Sequence, residues 1–131
     1  MKKNKPLRKK LIDKLDMLWS MAVRARYPRC IICGSEKTLS SHHCIVRKGQ
    51  TIGVRWLVDN GVTLCFSDHI CKLHGPQGGD AVFMKRYIAI LNKLISEERQ
   101  QEIIEIGHRI NKISTFEMQE MVKAFENGDI K

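Results

Sequence analysis

Cysteine spacing constrains this chain more than any other feature. The stretch CIICG, Cys30 to Gly34, sets two thiols three positions apart on a turn that ends in glycine, and Cys65 and Cys71 follow further along. The cysteine count is odd, and no apolar leader follows the charged opening MKKNKPLRKK, so a disulfide framework is not expected. In a reducing compartment this spacing suits one tetrahedral zinc ion shared by both ends of the segment. A redox pair is the rival reading, but that chemistry expects the motif to open a helix within a βαβ unit. Here the motif follows Pro28, which terminates a helix. The expected structural zinc set is Cys30, Cys33, Cys65 and Cys71. The wide gap between the last two leaves Asp68 or His69 as alternative fourth ligands.

Around that segment the texture of the chain changes twice. Leu7, Leu11, Leu15, Leu18 and Ala22, widened by Ile12, Trp19 and Val23, predict an amphipathic helix from Leu7 to about Tyr27. From Pro28 to Gly79 glycines break the chain into short pieces, with KTLSSHHCIV read as one strand and GVTLC as a second. A short helix is expected to begin near Asp68. Beyond Gly79 the pattern is helical again. Asp80 caps a segment to about Ile95, with Val82, Phe83, Tyr87, Ile90, Leu91 and Leu94 expected to be buried. Ser96 with Glu97 and Glu98 opens the next helix, whose inner face is Ile103, Ile106 and Ile110. STFE at Ser114 to Glu117 is a capping box that starts the last helix. The expectation is a single α+β domain: a basic helix over 1–28, a zinc-stapled core over 29–79 and a helical region over 80–131. No run of apolar residues is long enough for a transmembrane helix, and the expected location is the cytoplasm.

Charge is unevenly placed along this frame. Residues 1–60 carry 14 Lys and Arg against 4 Asp and Glu, whereas residues 61–131 carry 9 against 10. A basic half on a neutral frame suits a polyanion, because each cation that neutralises a phosphate releases a counterion. The expected contacts are Lys9, Lys10, Arg24 and Arg26 on the first helix, and Arg47, Lys48 and Arg55 near the second motif.

That second motif is a histidine cluster. His42, His43, His69 and His74 fall within a short span, while His108 stands alone. Hydrolysis of a phosphodiester needs a proton acceptor for water, a cation to bear charge on the phosphate, and a group that fixes geometry. A neutral imidazole supplies the first and a divalent ion on imidazoles the second. His43, the set His42, His69 and His74, and the amide of Asn60 are the candidates for the three roles.

C-x-x-C, then SHHCIVR, then RWLVDN, then LC and a histidine-rich helix start resemble, in that order, the HNH or ββα-metal endonuclease family. The leading helix LDMLWSMAVRARYPRC and the helical tail are most similar to NinG/Rap-type phage recombination endonucleases. The likeness spans about residues 15–95. It implies a ββα-metal fold with His43 as general base, Asn60 as the residue that orients it through hydrogen bonds, and His42 and His69 on a catalytic Mg²⁺, Mn²⁺ or similar ion. It also implies DNA as substrate, with branched recombination or replication intermediates as the class, a bacterial or phage-infected cell as the setting, and a homodimer by analogy. Two positions depart from the family. Asp68 stands where a second C-x-x-C would place cysteine, and His74 falls five residues after His69 rather than three or four. Strict alternation would also send His42 and His43 to opposite faces of a strand, unless a bulge or the strand end intervenes. The competing class is a zinc-stabilised module that binds DNA without cutting it. RNA is less favoured, because only Trp56 is placed near the site for base stacking.

Overall fold

The computed structural model describes residues 5–67 and 81–130. Helix α1 runs Leu7–Arg26 and ends where Tyr27 N–H donates to the Val23 carbonyl, just before Pro28. Its buried stripe is Leu15, Trp19 and Val23, spaced one helical turn apart. Full burial of each such side chain contributes about 1.5–3 kcal/mol. Strand β1 (Leu39–His43) pairs antiparallel with β2 (Gly61–Cys65), in a register running from Leu39 opposite Cys65 to His43 opposite Gly61. Three helices follow: α2 (Ala81–Leu94), α3 (Glu97–Arg109) and α4 (Thr115–Glu126). The protein is thus α+β, with four helices and a two-stranded antiparallel sheet among the described residues. None of these helices is long and apolar enough to cross a membrane.

Local chemistry explains the helix boundaries. The Ser96 side chain accepts from Arg99 N–H at 3.1 Å, and Ser114 accepts from Glu117 N–H at 3.0 Å, so both serines cap helices as their sequence contexts suggest. On α2 the buried residues are Phe83, Tyr87 and Leu91, a single row of side chains. Val82 and Leu94, expected inside, are exposed because they flank that row.

β2 corresponds to the predicted GVTLC, but β1 stops at His43, short of the predicted KTLSSHHCIV. The cause is a competing acceptor. Ile45 and Val46 give their N–H groups to the Asn60 side chain, both at 2.9 Å, so the chain leaves the ladder there.

The sheet lies between two helices. All five residues of β2 are buried. Gly61 faces α1 so closely that an added Cβ would sit 2.6 Å from Trp19 Cζ2 and closer still to Val23. Val62 and Leu64 join Phe83, Tyr87 and Leu91 of α2 in one apolar cluster, together with Cys30 and Ile32. A second cluster sets α1 against Trp56, Val58, Ile113, Met118 and Val122, so α4 rests on α1. Replacing Gly61 by alanine should lower stability by about 1–3 kcal/mol through overpacking. The check is a reduced urea midpoint at unchanged denaturant dependence.

Candidate functional site

The first centre is built by a turn and a strand end. Gly34 N–H donates to the Cys30 carbonyl at 2.9 Å, and Cys30 N–H donates to Ser35 at 3.0 Å. Gly34 takes φ +75°, a conformation that disfavours any side chain. Ile31 N–H bonds to the Thr63 carbonyl at 3.0 Å, which fastens the turn to β2. The sulfur atoms of Cys30, Cys33 and Cys65 lie within 4.8 Å of one another, and Cys33 and Cys65 are 3.6 Å apart. Thiolates bound to one tetrahedral zinc at about 2.3 Å stand about 3.8 Å from each other, so these three could hold such an ion. The expected fourth ligand Cys71 and its alternatives Asp68 and His69 lie outside the described residues. Cys44 is a separate thiol whose pKa burial pushes up to about 12, which keeps it protonated.

His43 occupies the opposite end of the same hairpin. Its ring stacks on Trp19 with centroids 3.9 Å apart and planes within 8°. Its Nε2 lies 2.8 Å from the Arg55 carbonyl oxygen. A carbonyl only accepts, so Nε2 carries the hydrogen and the lone pair resides on Nδ1. Burial pushes the His43 pKa below the usual 6.5, more than the Arg55 carbonyl restores, so the ring is neutral at pH 7.

Asn60 is completely buried and uses its whole side chain. Oδ1 accepts from Ile45 and Val46 N–H, while Nδ2 donates to the carbonyls of Val46 at 2.9 Å and Val54 at 3.2 Å. These partners are backbone groups of the loop after His43 and the turn before Arg55. Asn60, expected to orient the histidine through hydrogen bonds, thus directs all four of its side-chain bonds to the backbone of these two segments.

Arg55, expected to contact phosphate, has another occupation. Its Nε and Nη2 donate to the two oxygens of Asp16, at 2.9 and 2.7 Å. Trp56 Nε1 donates to the same Asp16 Oδ1 at 2.9 Å, and Lys48 Nζ stands 3.9 Å from Oδ2. Burial raises the Asp16 pKa, but the bonds from Arg55 and Trp56 and the Arg55 charge outweigh it and hold the carboxyl below its usual 3.8. Neither Asp16 nor Trp19 was singled out from sequence as a site residue. One signal was available: Asp13 and Asp16 are the only acids in the basic helix.

His42 does not share a face with His43. The ladder is regular through this pair, with His42 opposite Val62 and His43 opposite Gly61. The His42 ring approaches Tyr87 of α2, centroids 6.3 Å apart, on the other side of the sheet from Trp19. The Tyr87 hydroxyl is buried without a hydrogen bond among the described residues. Of the remaining expected metal ligands, His69 and His74 lie outside the described residues. Within these, Cys30, Cys33 and Cys65 form the one group of three or more metal-ligating side chains.

The basic residues divide into two sets. Lys9 pairs with Asp13 at 2.9 Å, and the Arg24 Nε donates to the Ser20 carbonyl at 3.3 Å. Arg26 lies over the Tyr27 ring at 5.7 Å. Lys10, Arg47 and Lys48 are exposed, the last two on the loop that leaves His43. An apolar groove of about 580 Å³ is lined by Leu18, Met21, Ala22 and Ala25 of α1 and Phe125 of α4, with Arg26 at its edge. Comparison of the chain with protein-family models, curated proteins and solved structures returned no match.

Two predictions follow from the paired acid and the thiol cluster. In the unfolded chain Asp16 regains its ordinary pKa, so on acidification the unfolded state takes up this proton first. The stability that Asp16 contributes is then complete above about pH 4 and fades as pH falls through its lower folded value. Urea titrations across this range should show a shallower acid limb for Asp16→Asn than for the wild type. Purified protein should carry zinc in equal proportion to chain. Cys65→Ser should lose it and unfold more readily, since structural zinc binding releases about 10–16 kcal/mol in small domains. Metal analysis and thermal melts provide the readout.

Proposed function

We propose that this protein is a metal-dependent endonuclease that hydrolyses DNA phosphodiester bonds, in the manner of the HNH family whose motifs its sequence resembles. The observation that carries the reading is the state of His43: an imidazole neutral at pH 7, held by Nε2–H on a backbone carbonyl, with its basic nitrogen unprotonated. A general base needs that combination of correct tautomer and fixed ring. In the proposed reaction Nδ1 of His43 takes a proton from water, the hydroxide attacks phosphorus, and the bond to the 3′ oxygen breaks. Lys48 and Arg47, on the loop immediately after the base, hold the adjacent phosphates. A divalent ion, when bound, would supply positive charge beside the leaving oxygen, with His69 and His74 proposed to hold it; His42, on the other face of the sheet, does not fit that role. The thiol cluster at the other end of the hairpin supports a structural zinc with Cys71 as its fourth ligand. Branched recombination or replication intermediates are the proposed substrate class.

A second reading draws on the divergence of His42 and His43 to opposite faces of the sheet. On that geometry the chain is a zinc-stabilised module that binds DNA without cutting it. The two readings separate in one assay, using plasmid and four-way-junction DNA with Mg²⁺ or Mn²⁺. The nuclease reading expects metal-dependent cleavage, reduced by about 10²–10⁴-fold in His43→Ala with DNA binding retained. Binding without turnover in the wild type, or equal turnover in His43→Ala, would overturn it.

A further inference from the structure

The peptide group that holds His43 lies between two side chains that both donate to one carboxylate. The Arg55 carbonyl, which accepts from His43 Nε2, belongs to the peptide joining Arg55 to Trp56. Asp16 accepts from both side chains flanking that peptide: Arg55 through Nε and Nη2, and Trp56 through Nε1. Two parallel N–H donors on a carboxylate fix direction as well as distance. One turn further along α1, Trp19 Nε1 donates to the Leu57 carbonyl at 2.8 Å, and its ring carries the stacked imidazole. Residues 55–57 are thus moored to α1 at consecutive positions. Rotation of the Arg55–Trp56 peptide would break contacts at each end.

From this geometry we infer that Asp16 is a positioning residue: it immobilises the Arg55 carbonyl and so sets the orientation of the His43 ring. The inference rests on the nuclease reading for its catalytic consequence. It assigns Arg55 to the architecture of the base rather than to the substrate. It also gives α1 a role beyond attracting DNA, because Asp16 and Trp19, three residues apart on one face, supply the clamp and the platform.

Asp16→Asn is the direct test, since the amide keeps the shape but presents a donor toward the guanidinium. The substitution leaves the charges of Arg55 and Lys48 uncompensated, which favours a polyanion. The expected result is therefore a split: kcat falls by about tenfold to a hundredfold, as for a misplaced catalytic group, while KM for DNA stays level or decreases. A merely destabilised fold would not produce that pairing. Arg55→Gln should give the same fall in kcat, and the double variant should be no worse than either single one, because both break one clamp. If Asp16→Asn does not fold, Arg55→Gln and Trp56→Phe carry the test through the same fall in kcat, with KM level in the uncharged exchange Trp56→Phe.

A readout independent of cleavage is the hydrogen-bonded Nε2–H proton of His43 in NMR spectra, assigned by its loss in His43→Gln. It should be protected from exchange in the wild type and exposed in Asp16→Asn or Arg55→Gln. Unchanged kcat together with a protected proton in these variants overturns the positioning role and leaves the nuclease reading intact. A wild type that cuts no DNA, yet loses its protected proton on Asp16→Asn, overturns the nuclease reading while the positioning role stands.

Discussion

One buried amide organises the centre of this protein. A completely buried asparagine is costly unless its hydrogen-bonding capacity is used. Asn60 meets that condition with four bonds to backbone groups of Ile45, Val46 and Val54. Among the described residues the loop after β1 has no partner strand, so these bonds replace the ladder that ends at His43. They also bring the turn before Arg55 next to the end of that strand, so that a carbonyl twelve residues downstream meets the histidine ring. Removing the amide would leave several backbone groups without partners at once.

Around this amide the environment of the histidine is assembled from pieces distant in the chain. Helix α1 contributes an aromatic surface and a carboxylate, β1 the ring, and the segment before β2 the carbonyl. Each is held for a different physical reason: stacking and apolar burial for Trp19, charge-assisted bonding for Asp16, ladder register for His43. α4 packs on α1 through Met118 and Val122, which share one apolar cluster with Leu15, Trp19 and Val23. The proposed chemistry is therefore located against the apolar cluster that holds Trp19 and Trp56.

Much of this arrangement can be read from local patterns, and the remainder depends on contacts that local patterns do not encode. Ser96 and Ser114 declare their helices because a cap acts within one turn. GVTLC declares a strand because alternation and β-branching are local. The three clustered cysteines could be paired from spacing, since the turn at Gly34 brings two together and β2 delivers the third. The end of β1 is hidden because nothing within SHHCIVR reveals that an amide fourteen to fifteen residues away captures its N–H groups. The pairing of Arg55 is hidden for a similar reason: its counter-charge, Asp16, is 39 positions earlier. The face of His42 follows from simple alternation, which the regular ladder obeys.

The strands carry a further consequence. Each is only five residues long, with the cysteine cluster at one end of the hairpin and His43 at the other. Because side chains alternate, sliding one strand past the other by a single position would turn His43 away from Trp19. Cys65 lies at the far end of the same register, opposite Leu39. An ion bridging it to Cys30 and Cys33 would oppose such a slip from the opposite end of the sheet.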